Sequence, residues 1–449
     1  MDNNILWSKT KKFHFVGAGG ISMSALMKHL LFNKKSVTGS DIVSSDVTDE
    51  LLRLGVDVNF SHCARNAKKA DVVVYSSAID DNNPELVYAR KHKIPLIKRS
   101  ELLGEILKCY KKSVAVSGSH GKTTATAMIA SVLIASESDP TVFLGGVDYG
   151  FSNYRYGSGN VVVAEACEYK KNFLDVKPDI AVVLNIDNDH LDAYKNMADM
   201  VNSFSEFVGD SLAVINADDP FADSVFNSST LTFGITKRAT YTARKITKSD
   251  LGYSFTVYAY GRAVGKITLK VAGMHNIYNA LAAVAVCDAM CIPFSKIKQG
   301  LENFKGVKRR NEYLGKIYGL DVVADYAHHP KEIGATIKSF SEECEDFITV
   351  FQPHTYSRTR ILLEEFEKVF ERRRPLIIYA TYAAREKFDE LGSAKTLYSS
   401  IIRGQNDSVV YVENERQLKS AIKQFSSNCE RVLVLGAGDI YDITKNLLV

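Results

Sequence analysis

The run Val114-Ala-Val-Ser-Gly-Ser-His-Gly-Lys-Thr-Thr-Ala-Thr joins an apolar stretch to a helix-forming one through a loop bounded by two glycines. Gly118 and Gly121 let backbone N–H groups wrap phosphate oxygens, and the helix that follows adds the positive end of its dipole. Lys122 is spaced to reach the outer phosphates, and the Thr123 hydroxyl to meet Mg²⁺. Gly118, His120, Gly121, Lys122, Thr123 and Thr124 together form a candidate nucleotide site. Gly118 precedes Gly121 by three, so the loop is two residues shorter than the usual G-x-x-x-x-G-K-[ST] spacing. A Gly-Lys-Thr turn without a ligand is the bland alternative. The strand before the loop and the helix after it, 125–135, weigh against that.

Two later residues are candidate partners of the loop. Glu165 ends the run 161–164, and His190 closes the segment 180–190. In an open parallel sheet, ligands bind beyond the carboxyl ends of strands, which would aim both side chains at the loop. A carboxylate is a normal Mg²⁺ ligand and an imidazole an unusual one, so spacing alone leaves His190 as either a ligand or a structural residue.

A second glycine loop, Gly17-Ala-Gly-Gly-Ile-Ser-Met-Ser, resembles G-x-G-x-x-G with Ser22 in place of the last glycine. Asp41 ends the next strand, where an acidic residue would meet a ribose. The reading is a nucleotide or nucleotide-sugar site, with a plain tight turn as the alternative. In Gly273-Met-His275-Asn276-Ile-Tyr-Asn279, the two asparagines share one side of a helix's first turn. They could bond a base, or Asn276 could simply cap the helix. Lys308-Arg309-Arg310 could stabilise a transferring phosphoryl group or be a solvated linker. Asp325-Tyr-Ala-His-His-Pro and His354-Thr-Tyr-Ser-Arg358-Thr-Arg360 each follow a strand, and the two arginines supply forked donors for a carboxylate. His328 and His329 lack the i, i+4 spacing of a helical zinc pair.

These segments need parallel sheets to hold them. Strands are expected at 13–16, 36–38, 72–75 and 94–97, with helices at 21–32 and 46–54. A second alternating unit has strands at 114–116, 161–164, 180–184 and 212–215. From 230 to 271 the pattern turns to antiparallel strands with a turn at Tyr260-Gly261-Arg262, followed by a helix at 276–290. A third unit has strands at 322–324, 347–351, 376–379, 409–412 and 432–435. The fold class is therefore α/β with three domains: 1–110, Rossmann-like; 111–308, a P-loop-type α/β unit with an antiparallel subsheet; and 309–449, again Rossmann-like.

Composition narrows the function classes. The 449 residues are 46% apolar and 24% charged, and carry a formal charge of +4. That balance argues against a nucleic-acid partner. The basic run Arg372-Arg373-Arg374 reads as a solvated helix end. Seven cysteines without C-x-x-C spacing fit a reducing compartment, and Cys287 and Cys291, four apart on one predicted helix, read as buried thiols. No apolar stretch reaches the length of a membrane span, so no membrane partner and a cytoplasmic setting are expected.

Taken in order, the segments resemble the Mur ligases over essentially the whole chain. The matches are Gly17 to Ser24, Gly118 to Thr124, Glu165-Ala-Cys-Glu-Tyr, Asn185-Ile-Asp-Asn-Asp-His190, His275-Asn276-x-x-Asn279-Ala, Arg309-Arg310, Asp325-Tyr-Ala-His-His-Pro and Phe351-Gln-Pro-His-Thr-Tyr-Ser-Arg-Thr-Arg. The resemblance implies a UDP-sugar on the first domain, ATP and Mg²⁺ on the second and an amino acid on the third, brought together by domain closure. The branch it most resembles implies UDP-N-acetylmuramate and L-alanine as substrates, and a monomer or homodimer is expected. By the same resemblance Thr123, Glu165 and His190 would bind magnesium. His275, Asn279, Arg310 and Asp325 would join the phosphate loop in binding ATP. Gly17, Gly19, Gly20, Ile21, Asp41, Ser76 and Ser77 would contact the UDP-sugar, and Arg358 and Arg360 would also hold substrate. Lys122, Arg310 and His354 would serve the chemistry. Ala125, Ser61 and Cys167 depart from the commonest family pattern.

The implied reaction is activation of a carboxylate by ATP, followed by amine attack on the acyl phosphate. It needs charge neutralisation and in-line positioning more than a protein nucleophile. The alternatives are a tripeptide-recycling ligase or folate polyglutamate synthase of the same family, a dinucleotide-dependent oxidoreductase, and a nucleotide-binding regulator without turnover. The oxidoreductase reading leaves residues 118–124 unexplained.

Overall fold

The computed structural model describes residues 12–187, 193–249, 252–342, 344–371, 375–384, 386–402 and 408–448. His190 and Arg372-Arg373-Arg374 lie outside the described residues. The chain divides into two compact units, Met1–Lys270 with His275–Lys305, and Val271–Met274 with Gly306–Val449.

The first unit carries two sheets. One contains β1 (Lys12–Val16), β2 (Ser36–Ser40), β3 (Asp57–Asn59), β4 (Val72–Tyr75) and β5 (Leu96–Lys98), all parallel, in the order β3-β2-β1-β4-β5. Parallel neighbours need crossover connections, and helices at Ile21–Phe32, Asp46–Arg53, Pro84–Lys91 and Arg99–Leu107 are spaced among the strands. Phe13, Phe15, Val16 and Val72 to Val74 are buried, as expected of strands covered on both faces. The strand order reverses between β1 and β4, the point at which open parallel sheets bind their ligands. Gly17 follows β1, while Ser76 and Ser77 follow β4.

The second sheet has ten strands: β6 (Lys112–Ser117), β7 (Thr141–Asp148), β8 (Ser152–Arg155), β9 (Val161–Glu165), β10 (Ile180–Val183), β11 (Leu212–Asn216), β12 (Thr230–Gly234), β13 (Tyr241–Ser249), β14 (Gly252–Ala259) and β15 (Arg262–Thr268). Their order is β15-β14-β13-β12-β11-β10-β6-β9-β7-β8. β6 lies between β10 and β9, parallel to both. The residues that follow these three strands therefore emerge side by side. The antiparallel part begins later than expected. β12 runs parallel to both β11 and β13, so the meander at this end of the sheet is β13, β14 and β15, and β7 and β8 form a second antiparallel pair at the other end. Tyr260 and Gly261 make its last turn with φ of 49° and 78°, the left-handed pair that a two-residue hairpin favours.

Strands β7 and β8 were not expected from the sequence, because Gly145-Gly146 interrupts the first and the second is short and polar. The expected thiol pair also changes. Cys287 is buried in the helix Met274–Ala289, but that helix ends before Cys291, which is exposed with φ of 60°. All seven cysteines are free.

The second unit holds β16 (Glu312–Ile317), β17 (Leu320–Asp325), β18 (Phe347–Phe351), β19 (Leu376–Tyr379), β20 (Val409–Val412) and β21 (Arg431–Leu435), in the order β16-β17-β21-β18-β19-β20. Only β16 pairs antiparallel, with β17. Alternate residues feed two cores. Val322, Ala324, Ile348 and Val350 pack on one face, and Val323, Phe347 and Phe351 on the other. Among the described residues, no helix is long and apolar enough to cross a membrane.

Candidate active site

The loop after β6 is held open by its glycines and strapped by the segment after β10. Gly118 has φ of 140°, and a Cβ there would come within 3.0 Å of the Leu184 Cβ and 3.1 Å of the Asn185 amide. Gly121 has φ of 84°, and a Cβ there would strike the Asn279 Oδ1 at 2.7 Å. Ser119 N donates to Asn185 O at 3.1 Å, His120 N to Asn185 Oδ1 at 2.8 Å, and Asn185 Nδ2 to His120 O at 3.1 Å. His120 Nε2 also lies 3.5 Å from Asp187 Oδ2. The helix Lys122–Ala135 then starts with no side-chain cap. Its first internal bond runs from Ala125 N to Gly121 O at 2.9 Å, so the amides of Lys122, Thr123 and Thr124 precede the ladder. This is the backbone arrangement that anions favour.

Beside the loop, the end of β9 and the residues just after it supply two carboxylates, Glu165 and Glu168. Thr123 Oγ1 donates to Glu165 Oε2 at 3.0 Å, and Gly145 N on β7 donates to Glu165 Oε1. Lys122 Nζ lies 2.9 Å from Glu168 Oε1 and donates to the loop's own Ser119 O at 3.1 Å. Burial works against the Lys122 ammonium, but Glu168, Cys167 and Glu165 together hold its pKa above the ordinary lysine value. The donor set fits a nucleoside triphosphate with Mg²⁺: amides and an ammonium for phosphate, and a hydroxyl and a carboxylate oxygen for a hard cation. Among the described residues no group of three His, Cys, Asp or Glu forms a ready metal cage. Mg²⁺ does not need one, because it usually takes one or two carboxylates and completes its shell with phosphate and water.

Asn276 and Asn279 are buried on the first turns of the helix Met274–Ala289, and Asn279 Nδ2 donates to Asn276 Oδ1 at 3.1 Å. The helix begins at Met274, so Asn276 is not its cap. The close approach of Asn279 to Gly121 puts it beside the phosphate loop, whereas His275 is exposed.

At the glycine loop after β1, Gly17 has φ of 86°. Asp41 does not present its carboxylate as an open ribose acceptor. Its Oδ2 accepts from Gly19 N at 2.8 Å, and its Oδ1 from Ile42 N at 2.7 Å and Val43 N at 3.3 Å. It braces the loop, and a Cβ on Gly19 would meet it at 3.0 Å. Gly20 precedes the first turn of the helix Ile21–Phe32 without capping it by a side chain.

In the second unit, Arg309 and Arg310 separate in role. Arg309 bonds Asp442 Oδ2 at 2.9 Å and lies over the Tyr441 ring, which makes it a structural tie. Arg310 lies 5.2 Å from the Tyr326 ring centroid, next to Asp325. The Asp325 carboxylate accepts from Asn311 N at 2.8 Å and Ala327 N at 2.9 Å. His354 stacks on Tyr382 and sits 5.6 Å, ring to ring, from His328. Burial first, then His328 and Arg358, push the His354 pKa down to about 4. Arg358 Nη1 lies 3.4 Å from His354 Nδ1, but Arg360 turns away to Asp389 Oδ2 at 2.9 Å. The expected pair of forked donors is therefore divided, because residues two apart on a helix do not face each other.

The sequence reading passed over Asn185, Glu168 and Asn153. The first two lie inside quoted motifs, each just beyond a strand's carboxyl end, and that position was the available signal. Asn153 lies in the unforeseen strand β8.

Comparison with known proteins identifies the family. The family description "Mur ligase family, catalytic domain" matches residues 12–111, "Mur ligase middle domain" 116–287 and "Mur ligase, glutamate ligase domain" 309–438. A UDP-N-acetylmuramate--L-alanine ligase of Acetivibrio thermocellus is 42% identical over 452 residues, covering 98% of this chain and 96% of that protein. The crystal structure of a UDP-N-acetylmuramate-alanine ligase from Thermotoga maritima superposes with a TM-score of 0.82 at 32% identity, covering 97% of this chain and 98% of that one. A murein peptide ligase from Psychrobacter arcticus shares the fold, with a TM-score of 0.71 at 20% identity and coverage of 97% and 98%. With its three domains matched in order along nearly its full length, the chain belongs to the Mur ligase family.

Proposed function

We propose that the chain joins L-alanine to the lactyl carboxylate of UDP-N-acetylmuramate at the expense of ATP, a step of peptidoglycan precursor synthesis. The observation that carries the reading is the meeting of Lys122, Thr123 and Glu165 at adjacent carboxyl ends of β6 and β9, in a chain aligned end to end with relatives of that name. The working domains are 1–110 for the UDP-sugar, 111–308 for ATP and Mg²⁺, and 309–449 for the amino acid. A cytoplasmic setting is part of the proposal, and the seven free cysteines support it.

The loop amides and Lys122 bind the phosphates. Thr123 and Glu165, with His190, would hold Mg²⁺, which neutralises phosphate charge when bound. Asn279 keeps its place at the loop, and Arg310 and Asp325 are nucleotide ligands only on the resemblance to the family. The loops 17–21 and 76–77 cradle the UDP-sugar. A lactyl carboxylate oxygen bonds to the γ-phosphorus and ADP leaves. The alanine amine then bonds to the acyl carbon, and phosphate leaves with that oxygen. Arg358 holds the alanine carboxylate. His354, uncharged at neutral pH, serves as a hydrogen-bond partner rather than a strong base. Arg360 takes part only after leaving Asp389.

The test is ADP release with UDP-N-acetylmuramate across a panel of amino acids and the tripeptide. Release that depends on both the UDP-sugar and L-alanine supports the reading. Release with the tripeptide alone would replace it with a recycling ligase.

A further inference from the structure

Strands β7 and β8 touch Glu165, the carboxylate beside the phosphate loop, and the helix that leaves the glycine loop 17–20. On one side, Gly145 of β7 donates its amide to Glu165, and a Cβ there would fall 2.8 Å from Glu165 Oε2. On the other side, Asn153 of β8 is buried against the start of the helix Ile21–Phe32. Its Nδ2 donates to Ile21 O at 2.6 Å and to Ser24 Oγ at 2.9 Å, and its Oδ1 accepts from Lys28 Nζ at 2.8 Å. That helix leaves directly from the glycine loop 17–20. The next residue reinforces the contact, since Tyr154 Oη lies 3.0 Å from His29 Nδ1. β7 and β8 are themselves paired, Phe143 opposite Tyr154 and Val142 opposite Arg155.

We infer that this hairpin couples the UDP-sugar loop to the metal carboxylate, and that Asn153 is the positioning residue that sets their spacing. The inference rests on the ligase reading for its consequence. The attacking carboxylate rides on the first loop and the γ-phosphate on the second, so a small error in their spacing removes the near-attack geometry. A core amide could fill the same volume with one polar contact. Asn153 instead uses donor and acceptor together, on three groups of one helix, beside a buried lysine that also pairs with Glu50 at 2.7 Å.

Two measurements on the full chain test it. The first is hydrogen exchange with UDP as the probe. Binding is expected to slow exchange at 17–24 and also at 143–146. In Asn153→Leu the protection at 143–146 is expected to fall by about tenfold, the coupling usual within one hydrogen-bond network, while protection at 17–24 persists. Protection confined to 17–24 in the unaltered chain overturns the inference. The second is turnover. Asn153→Leu leaves the buried Lys28 ammonium with Glu50 but without its amide acceptor, so loss of stability alone could lower activity. Lys28→Met with Asn153→Leu removes that charge and is expected to recover the melting temperature, while kcat stays about tenfold or more down and the KM values for UDP-N-acetylmuramate and ATP each move less than about threefold. Recovery of kcat together with the melting temperature would make Asn153 a packing residue and overturn its role. Failure of the unaltered chain to form product would refute the ligase reading, and the exchange result would still decide the coupling.

Discussion

The Lys122 ammonium lies 2.9 Å from the carboxylate of Glu168, a residue wholly buried behind the phosphate loop. The pair fixes a cation that burial would otherwise disfavour, and keeps it charged throughout the neutral range. Lys122→Ala is expected to lower kcat by about 10²–10³, the usual effect of removing one preorganised charge from a transition state. UDP binding, read by calorimetry, should change less than about threefold because its loop follows β1 in another sheet. The same variant takes the Lys122 ammonium away from the buried Glu168 carboxylate, so Lys122→Ala with Glu168→Gln should regain stability without activity. Near-normal ligation by either folded variant would remove the loop from the chemistry.

Thr123 and Glu165 share a 3.0 Å hydrogen bond where a hard cation would find two oxygen donors. Thr123→Val and Glu165→Gln are each expected to raise the Mg²⁺ concentration for half-maximal turnover by about tenfold or more. A titration of activity against Mg²⁺ reads this directly. Unchanged half-saturation in both variants would make the pair structural.

The divided arginines give an asymmetric expectation. Arg358→Lys should raise the KM for L-alanine by about tenfold to a hundredfold, because lysine loses the planar fork. Arg360→Ala removes an exposed bond to Asp389 and should change that KM by less than about threefold. Equal, large losses would mean that Arg360 leaves Asp389 to join the site during turnover.

His29 supplies a pH dependence of stability. Burial holds its pKa down to about 4, against the ordinary histidine value of 6.5 that an unfolded chain would have. Between those values the unfolded state binds the extra proton, so stability rises with pH from about 4 to about 6.5 and is lost on acidification through that window. His29→Gln keeps polar partners for Tyr154 and Asn33 while removing the titration. Denaturant unfolding at pH 7 and pH 5 should show a smaller acid loss in the variant, by about 1–3 kcal/mol. Identical losses would place the acid sensitivity elsewhere.

Much of the fold was legible because buried parallel strands read as short β-branched runs. The strands 72–75, 347–351, 376–379 and 409–412 and the helix Ile21–Phe32 have the bounds that the pattern gave. The phosphate loop was legible because its glycines, lysine and threonine sit between a strand and a helix. What could not be read is which neighbours each side chain meets once the chain is folded. Asp41 looked like a ribose acceptor until its oxygens were found on Gly19, Ile42 and Val43. Arg358 and Arg360 looked alike until helical geometry sent them to different neighbours. Asn153 carried no local signal, because its three partners lie more than a hundred residues away.

The central claim is that a carboxylate oxygen is phosphorylated before the amide bond forms. It is tested most directly with UDP-N-acetylmuramate carrying ¹⁸O in both lactyl carboxylate positions, turned over with ATP and L-alanine, and mass spectrometry of the released phosphate. The account predicts one ¹⁸O atom in each phosphate formed, because the bridging oxygen leaves with phosphorus. Phosphate without ¹⁸O, formed alongside the amide product, would contradict it.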